Sequence, residues 1–176
     1  MCTIFTHPAV PIVAAACLPK GAATPWLISA GILCSIIPDA DAISLSFGVP
    51  YGSMLGHRGI THSVAFAAAL AAVLAFALFR NSPAGAAVAV IYLFISTLSH
   101  PLLDMCTNGG SGVALLAPLT ETRYFFPWRF IEVSPIGTDF FGPRAWPVLS
   151  SEVTWVWLPG AICFALVYGI RRVADI

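Results

Sequence analysis

The sequence predicts an all-α polytopic membrane protein: a bundle of about five hydrophobic helices with one irregular interfacial stretch. Three observations lead there. Hydrophobic residues fill 59% of the 176 positions and charged residues only 9%, whereas a soluble domain carries about 25% charged residues. The apolar residues gather in five runs, at about 8–19, 24–38, 61–80, 84–105 and 153–171. The long interval 106–152 holds no comparable run and mixes Pro, Gly, Arg and aromatic residues. The whole of 1–176 reads as a single membrane-embedded domain.

The first two runs are short and joined at Lys20-Gly21, so they form a hairpin that spans imperfectly or dips into the bilayer. His7 precedes Pro8, and proline favours the first position of a helix. The third and fourth runs reach the roughly 20 residues a span requires. The turn "RNSPAG" at 80–85 makes them an antiparallel pair. Thr61 or Ser63 suits the cap of the third helix. Pro101 should kink the fourth helix or end its hydrogen bonding. The 106–152 segment opens on the flexible turn "TNGGSG". It continues through "RYFFPWRFIEV", where Arg123 and Arg129 interleave with Tyr124, Phe125, Phe126, Trp128 and Phe130. Such aromatics sit at headgroup depth, and the segment is expected to be an irregular, β-hairpin-like lid on the membrane. Trp155 and Trp157, at the head of the fifth helix, read as interface residues.

The five cysteines, 2, 17, 34, 106 and 163, are scattered without a C-x-x-C and read as small apolar residues in packed helices. The first residues lack the basic region of a secretory signal. "VAAAC" at 13–17 is a weak match to a lipoprotein site, and cleavage there would remove His7. A formal net charge of zero gives no electrostatic footprint for nucleic acid.

Threading the chain so that each run crosses the membrane places His7, the 39–62 loop, His100 to Asp104 and all of 106–152 on one side. Lys20, Arg80, Arg171 and Arg172 fall on the other. All four histidines and four of the five aspartates therefore share a face. The positive-inside rule sets the basic turns in the cytoplasm and the histidines on the outer, periplasmic side of an inner membrane. An ionisable group in lipid costs roughly 2.5–3.5 kcal/mol on insertion scales and marks a functional site by default.

The polar clusters suit a metal. His100 and Asp104 lie four apart on one helical face. His57 and His62 converge only if His57 precedes the helix, which Gly56 and Gly59 allow. Asp39 and Asp41 follow Pro38. Two apart, they can ligate different metals, or one can orient a ligand histidine. The candidate metal ligands are thus His7, Asp39, Asp41, His57, His62, His100 and Asp104. Asp41, Arg58 and His62 are the candidate catalytic residues, with Arg58 offering a planar fork to a phosphate or carboxylate. Mixed imidazole and carboxylate donors favour Zn, with Mn or Fe compatible. Seven candidates exceed the three protein ligands of a simple catalytic zinc, so one or two ions fit. A divalent metal lowers the pKa of bound water to about 7.

The stretches "FTHPAV", "IIPDADAIS", "GHRGITHSVAFA", "SHPLLDMCTNGGSGVALLAPLT" and "FFPWRFIEVSPIG" with "SEVTWVWLP" resemble the YdjM-like family, described as LexA-regulated, membrane-bound metal-dependent hydrolases. The resemblance covers nearly the whole chain. It implies a multi-pass inner-membrane hydrolase whose motif positions correspond to His7, Asp39, Asp41, His57, His62, His100 and Asp104.

The first functional expectation is therefore a metal-dependent hydrolase of a phosphoester or other ester in a lipid-like substrate, with membrane lipids as its partners. Arg58, with Arg123 or Arg129, would neutralise developing charge. The second is a metal-free histidine lipid phosphatase, faintly echoed by "SMLGH" and "HPLLD", although its basic first motif is missing. The third is a metal or proton transporter. A pathway would spread ionisable groups over several depths, and here they gather at one face. No H-E-x-x-H is present to suggest an intramembrane protease.

Overall fold

The computed structural model describes residues 1–174. These are helical throughout apart from turns and loops, and no strand occurs among them. Helix α1 spans Ala9–Ala15 and α2 spans Pro25–Cys34, with Thr24 capping Leu27 N. A 3-10 turn, Ile37–Ala42, and the single turn α3, Ile43–Ser46, prolong α2. Helix α4, Val64–Leu74, runs into a π-helical turn, Ala75–Phe79. Helix α5, Gly85–Met105, is the long central rod. Helix α6, Ala145–Glu152, continues through a second π turn, Val153–Trp157, into α7, Leu158–Val173. Three of these runs, Pro25–Ser46, Gly85–Met105 and Ala145–Val173, are long and apolar enough to cross a membrane.

The core sits where α1, α2 and α4 meet α5. Along α4 and into its π turn, Ala67, Ala71 and Ala75 recur every four residues and are fully buried. With no side chain beyond Cβ, they let α5 come close and set Ala89 and Leu93 against them. Tyr92 binds three helices together. Its ring lies where a Cβ on Gly31 of α2 would be, and its hydroxyl donates to Pro11 O of α1 at 3.1 Å. By contrast α7 has no buried residue and touches mainly α1, leaving most of its surface to lipid.

The first run, expected over 8–19, is helical only over Ala9–Ala15, and two other boundaries differ from the sequence reading at prolines. The second run was expected to stop at 38, yet Pro38 stands in the first turn of the 3-10 helix, where its missing N–H needs no partner. The fifth was expected from 153. It begins at Ala145 because Pro147 likewise falls in a first turn. Pro101 lies inside α5 without ending it. In the preceding turn Ser96 and Thr97 direct their hydroxyls to the carbonyls of Tyr92 and Leu93. The 106–152 segment is irregular as expected, but its pairing amounts to two isolated bridges, Thr107 with Ile131 and Val113 with Tyr124. The cysteines are all free thiols, Cys2 and Cys34 buried, Cys17 and Cys163 exposed. Trp155 packs on Phe130 with ring centroids 4.6 Å apart, and Trp157 donates its indole N–H to Thr6.

Candidate metal centre

Each ligand-bearing segment reaches the site for a local reason. The 3-10 turn after α2 brings Asp39 and Asp41 round to the bundle interior. His100 and Asp104 stand one turn apart near the end of α5, both fully buried. Between Pro50 and His62 the chain folds tightly on itself. A Cβ on Gly56 would strike Pro50 O, and one on Gly59 would strike Met54 O, so only glycine permits the loop that carries His57. Arg58 takes a left-handed φ of 62° to turn its side chain inward. His62 closes a 3-10 turn, and Ser63 rather than Thr61 caps α4, accepting from Phe66 N at 3.0 Å. Thr61 instead donates to Asp41.

The four imidazoles are fully buried, and three are held in one tautomer. His100 Nδ1 lies 2.8 Å from Ser35 O, which can only accept, so Nδ1 carries the proton. His57 Nδ1 lies 2.6 Å from Asp41 Oδ1 and His62 Nδ1 lies 3.1 Å from Asp41 Oδ2. In the neutral form of each ring the lone pair is thereby left on Nε2; for His62 that form competes with protonation, since burial lowers its pKa but the Asp39 and Asp41 carboxylates beside it raise it to about 9. The Nε2 atoms of His62 and His100 face one another at 3.1 Å, a pair of acceptors turned to one point. Asp39 Oδ1 lies 3.3 Å from His100 Nε2 and 3.7 Å from His62 Nε2, and Asp104 Oδ2 lies 3.8 Å from His62 Nε2. His7 stacks on His100 at 3.7 Å and sets Nε2 3.9 Å from both Asp39 and Asp104. Burial, reinforced by the neighbouring His100, pushes the His7 pKa down to about 3, so its ring is neutral.

This donor set fits a cation. His7 Nε2, both Asp39 oxygens, Asp104 Oδ2 and His57 Nε2 are buried without a hydrogen-bond partner, a costly condition unless an ion satisfies them. Asp39, His62, His100 and Asp104 each offer an atom within 4.8 Å of the others. The converging side chains include the carboxylates of Asp39, Asp41 and Asp104 and the Arg58 guanidinium. Asp41, His57 and His62 also lie close enough to hold an ion. Both Asp41 oxygens, however, are engaged on the Nδ1 atoms and on Arg58 N at 3.1 Å. That geometry makes Asp41 the residue that orients His57 and His62.

The sequence reading left Arg58 free for substrate. The structure places it at 0% exposure: Nε is ion-paired with Asp104 Oδ2 at 2.9 Å, one terminal nitrogen donates to Gly109 O and the other to Thr107 Oγ1, both at 3.1 Å. Arg123 is likewise engaged with backbone carbonyls, those of Tyr51, Ser53, His57 and Gly112. Arg129 lies over Phe125. Of the four aspartates expected on this face, Asp39, Asp41 and Asp104 converge. Asp139 lies apart, in the 3-10 turn Gly137–Phe141. Asp175 lies outside the described residues.

Sequence reasoning missed the supporting contacts. The Ser35 carbonyl carries no sequence signal. Thr61, between the glycine loop and His62, was read only as a cap. Glu152 is buried and accepts from Thr3 N, Thr3 Oγ1 and Thr6 Oγ1, tying down the segment that leads to His7.

Comparison with known proteins agrees with this architecture. The profile of the family described as YdjM inner membrane protein matches residues 1–174. The inner membrane protein YbcI of Escherichia coli (strain K12) is 40% identical over 173 residues, 98% of this chain and 100% of that protein. No solved structure matches.

Proposed function

The chain belongs to the YdjM inner membrane protein family and lies in the inner membrane, and from that premise we propose that it is a metal-dependent hydrolase cleaving a phosphoester or other ester of a lipid-like substrate. The observation that carries this reading is the set of anchored imidazoles whose Nε2 lone pairs meet two buried carboxylates inside a membrane bundle. Asp39, His62, His100 and Asp104 would hold the ion, with His7 at its side. Zinc suits the donors best, and manganese or iron are compatible. Such an ion supplies a Lewis acid and activates water at neutral pH.

The chain's own residues divide the remaining work. Asp41 fixes the tautomers of His57 and His62. Arg58 holds Asp104 and balances its charge. His57 has Nδ1 on Asp41 and its buried Nε2 without a partner, an arrangement suited to accepting a proton. Access favours an amphipathic substrate. Asp39 and Asp41 are the least buried members of the cluster, at 7% and 5% of their side chains, and the segment leading away from them exposes Ile43, Phe47 and Leu55. A substrate held in the bilayer plane can keep its apolar part on these residues while its ester reaches the aspartates. The sidedness of the basic turns supports a periplasmic opening.

The test is hydrolysis in proteoliposomes carrying a panel of phospholipids and other lipid esters. Turnover should vanish on chelation and return with zinc or manganese. Metal uptake into the liposomes without ester turnover would instead identify a carrier. Turnover by metal-free protein would identify a histidine phosphatase. A second expectation follows from Asp41. Asp41→Asn keeps the shape but replaces an acceptor oxygen by a donor, so one ring loses its anchor. Metal affinity, read by competition with a chelating dye, should weaken about tenfold to a hundredfold in a folded protein. Unchanged affinity would remove Asp41 from its orienting role.

A further inference from the structure

We propose that the crevice at the opposite end of the bundle binds an anionic glycerophospholipid, with its phosphate between Lys20 and Arg172 and an acyl chain lying along α7. The crevice encloses about 700 Å³ between the α1–α2 turn and the end of α7. Ile12, Ile28, Phe164 and Tyr168 supply an apolar wall, and Lys20 and Arg172 stand at its mouth. Arg171 donates to Ala16 O and Leu18 O, which pins the end of α7 to the turn and gives the crevice a fixed shape.

Three features select the occupant. The first is depth. Pro25, at the crevice end of α2, precedes Asp39 by fourteen residues, so at 1.5 Å per residue the two ends are about 20 Å apart. The crevice is therefore separate from the metal centre and lies at the other membrane surface, where headgroups are found. The second is charge. The described lining holds Lys20, Arg171 and Arg172 and no acidic side chain, so a phosphate is complemented while the ammonium of a zwitterionic headgroup finds no partner. The third is the wall. Phe164 and Tyr168 are stacked at 6.3 Å on a helix that has no buried residue, leaving an apolar track open towards the bilayer. A basic mouth above an apolar track suits an anionic lipid at the surface bearing the basic turns, where each Lys or Arg adds attraction for anionic headgroups.

The experiment is native mass spectrometry of the detergent-purified protein titrated with dioleoylphosphatidylglycerol or dioleoylphosphatidylcholine. A one-to-one phosphatidylglycerol adduct should form at a concentration at least about tenfold below that needed for phosphatidylcholine. Lys20→Gln with Arg172→Gln should abolish that preference and leave phosphatidylcholine binding and metal content unchanged. Arg80→Gln, on the same side but outside the crevice, should keep it. Equal binding of the two lipids by the parent protein would overturn the proposal. So would a preference that survives the double substitution, or one that Arg80→Gln removes equally, since general surface charge would then explain it.

Discussion

His100→Ala is expected to purify without the divalent ion that the parent protein carries. The reasoning begins at Ser35, whose carbonyl fixes Nδ1 of His100 and so aims Nε2 at the point shared with His62 and Asp39. Loss of an orienting partner costs roughly tenfold to a hundredfold in metal affinity, and loss of the ligand itself should exceed that. Elemental analysis after gel filtration should therefore show stoichiometric metal in the parent and less than about a tenth of it in the variant. His100 also stacks on His7, so the alanine variant could lose metal by collapse of the packing. His100→Gln answers this. Its amide keeps a hydrogen-bonding group near Ser35 but cannot also aim an imidazole lone pair at Asp39. Metal loss in both variants with near-parental thermal unfolding supports the centre. A parent protein purified and reloaded under mild conditions that still carries no divalent ion would sink it.

The convergence of this centre was legible in the sequence because it depends on topology. Counting crossings was enough to put His7, Asp39, Asp41, His57, His62, His100 and Asp104 on one side, and the distances now bring them within one cluster. The division of labour was less legible, because it depends on χ angles and on backbone groups. Asp39 and Asp41 read identically as two aspartates after a proline. The 3-10 turn sends one to the Nε2 side of the histidines and the other to the Nδ1 side. Arg58 read as a phosphate fork because nothing in "GHRGITH" reveals that Thr107 and Gly109 return from far along the chain to receive it. Two helix ends moved at Pro38 and Pro147, where a proline starts a turn instead of stopping one, and the first helix, expected to reach 19, ends at Ala15. The interfacial segment kept its irregularity but formed no hairpin ladder. Its Arg123 is engaged with four carbonyls that hold the glycine loop, a tertiary contact that local pattern does not encode.

Arg58→Met should destabilise the metal-free protein by about 3–5 kcal/mol, the usual cost of removing one partner from a buried ion pair. Its guanidinium is ion-paired with Asp104 at 2.9 Å, both side chains are fully buried, and the other oxygen of that carboxylate accepts from Cys2 N at 2.8 Å. Methionine preserves much of the stem's packing and leaves the left-handed backbone with a non-glycine residue, while the hydrogen bonds to Gly109 O and Thr107 Oγ1 are lost with or without metal, so the difference between the two conditions isolates the charge. The sign of the metal dependence makes the prediction specific. A divalent ion beside Asp104 replaces the missing positive charge, and the repulsion between that ion and Arg58 is also gone. The variant should therefore gain more stability from zinc than the parent does, and the deficit seen in chelator should shrink once the ion is added. Thermal unfolding in detergent, run with chelator and with saturating zinc, reads both numbers. An equal deficit in the two conditions would mean that Asp104 does not face the ion, and the ligand set would contract to Asp39, His62, His100 and His7. Adding Asp104→Asn to Arg58→Met in chelator should recover a large part of the loss, because the destabilisation arises from the orphaned carboxylate. Recovery there, combined with failure of the double variant to respond to zinc, would show one carboxylate serving both the arginine and the metal.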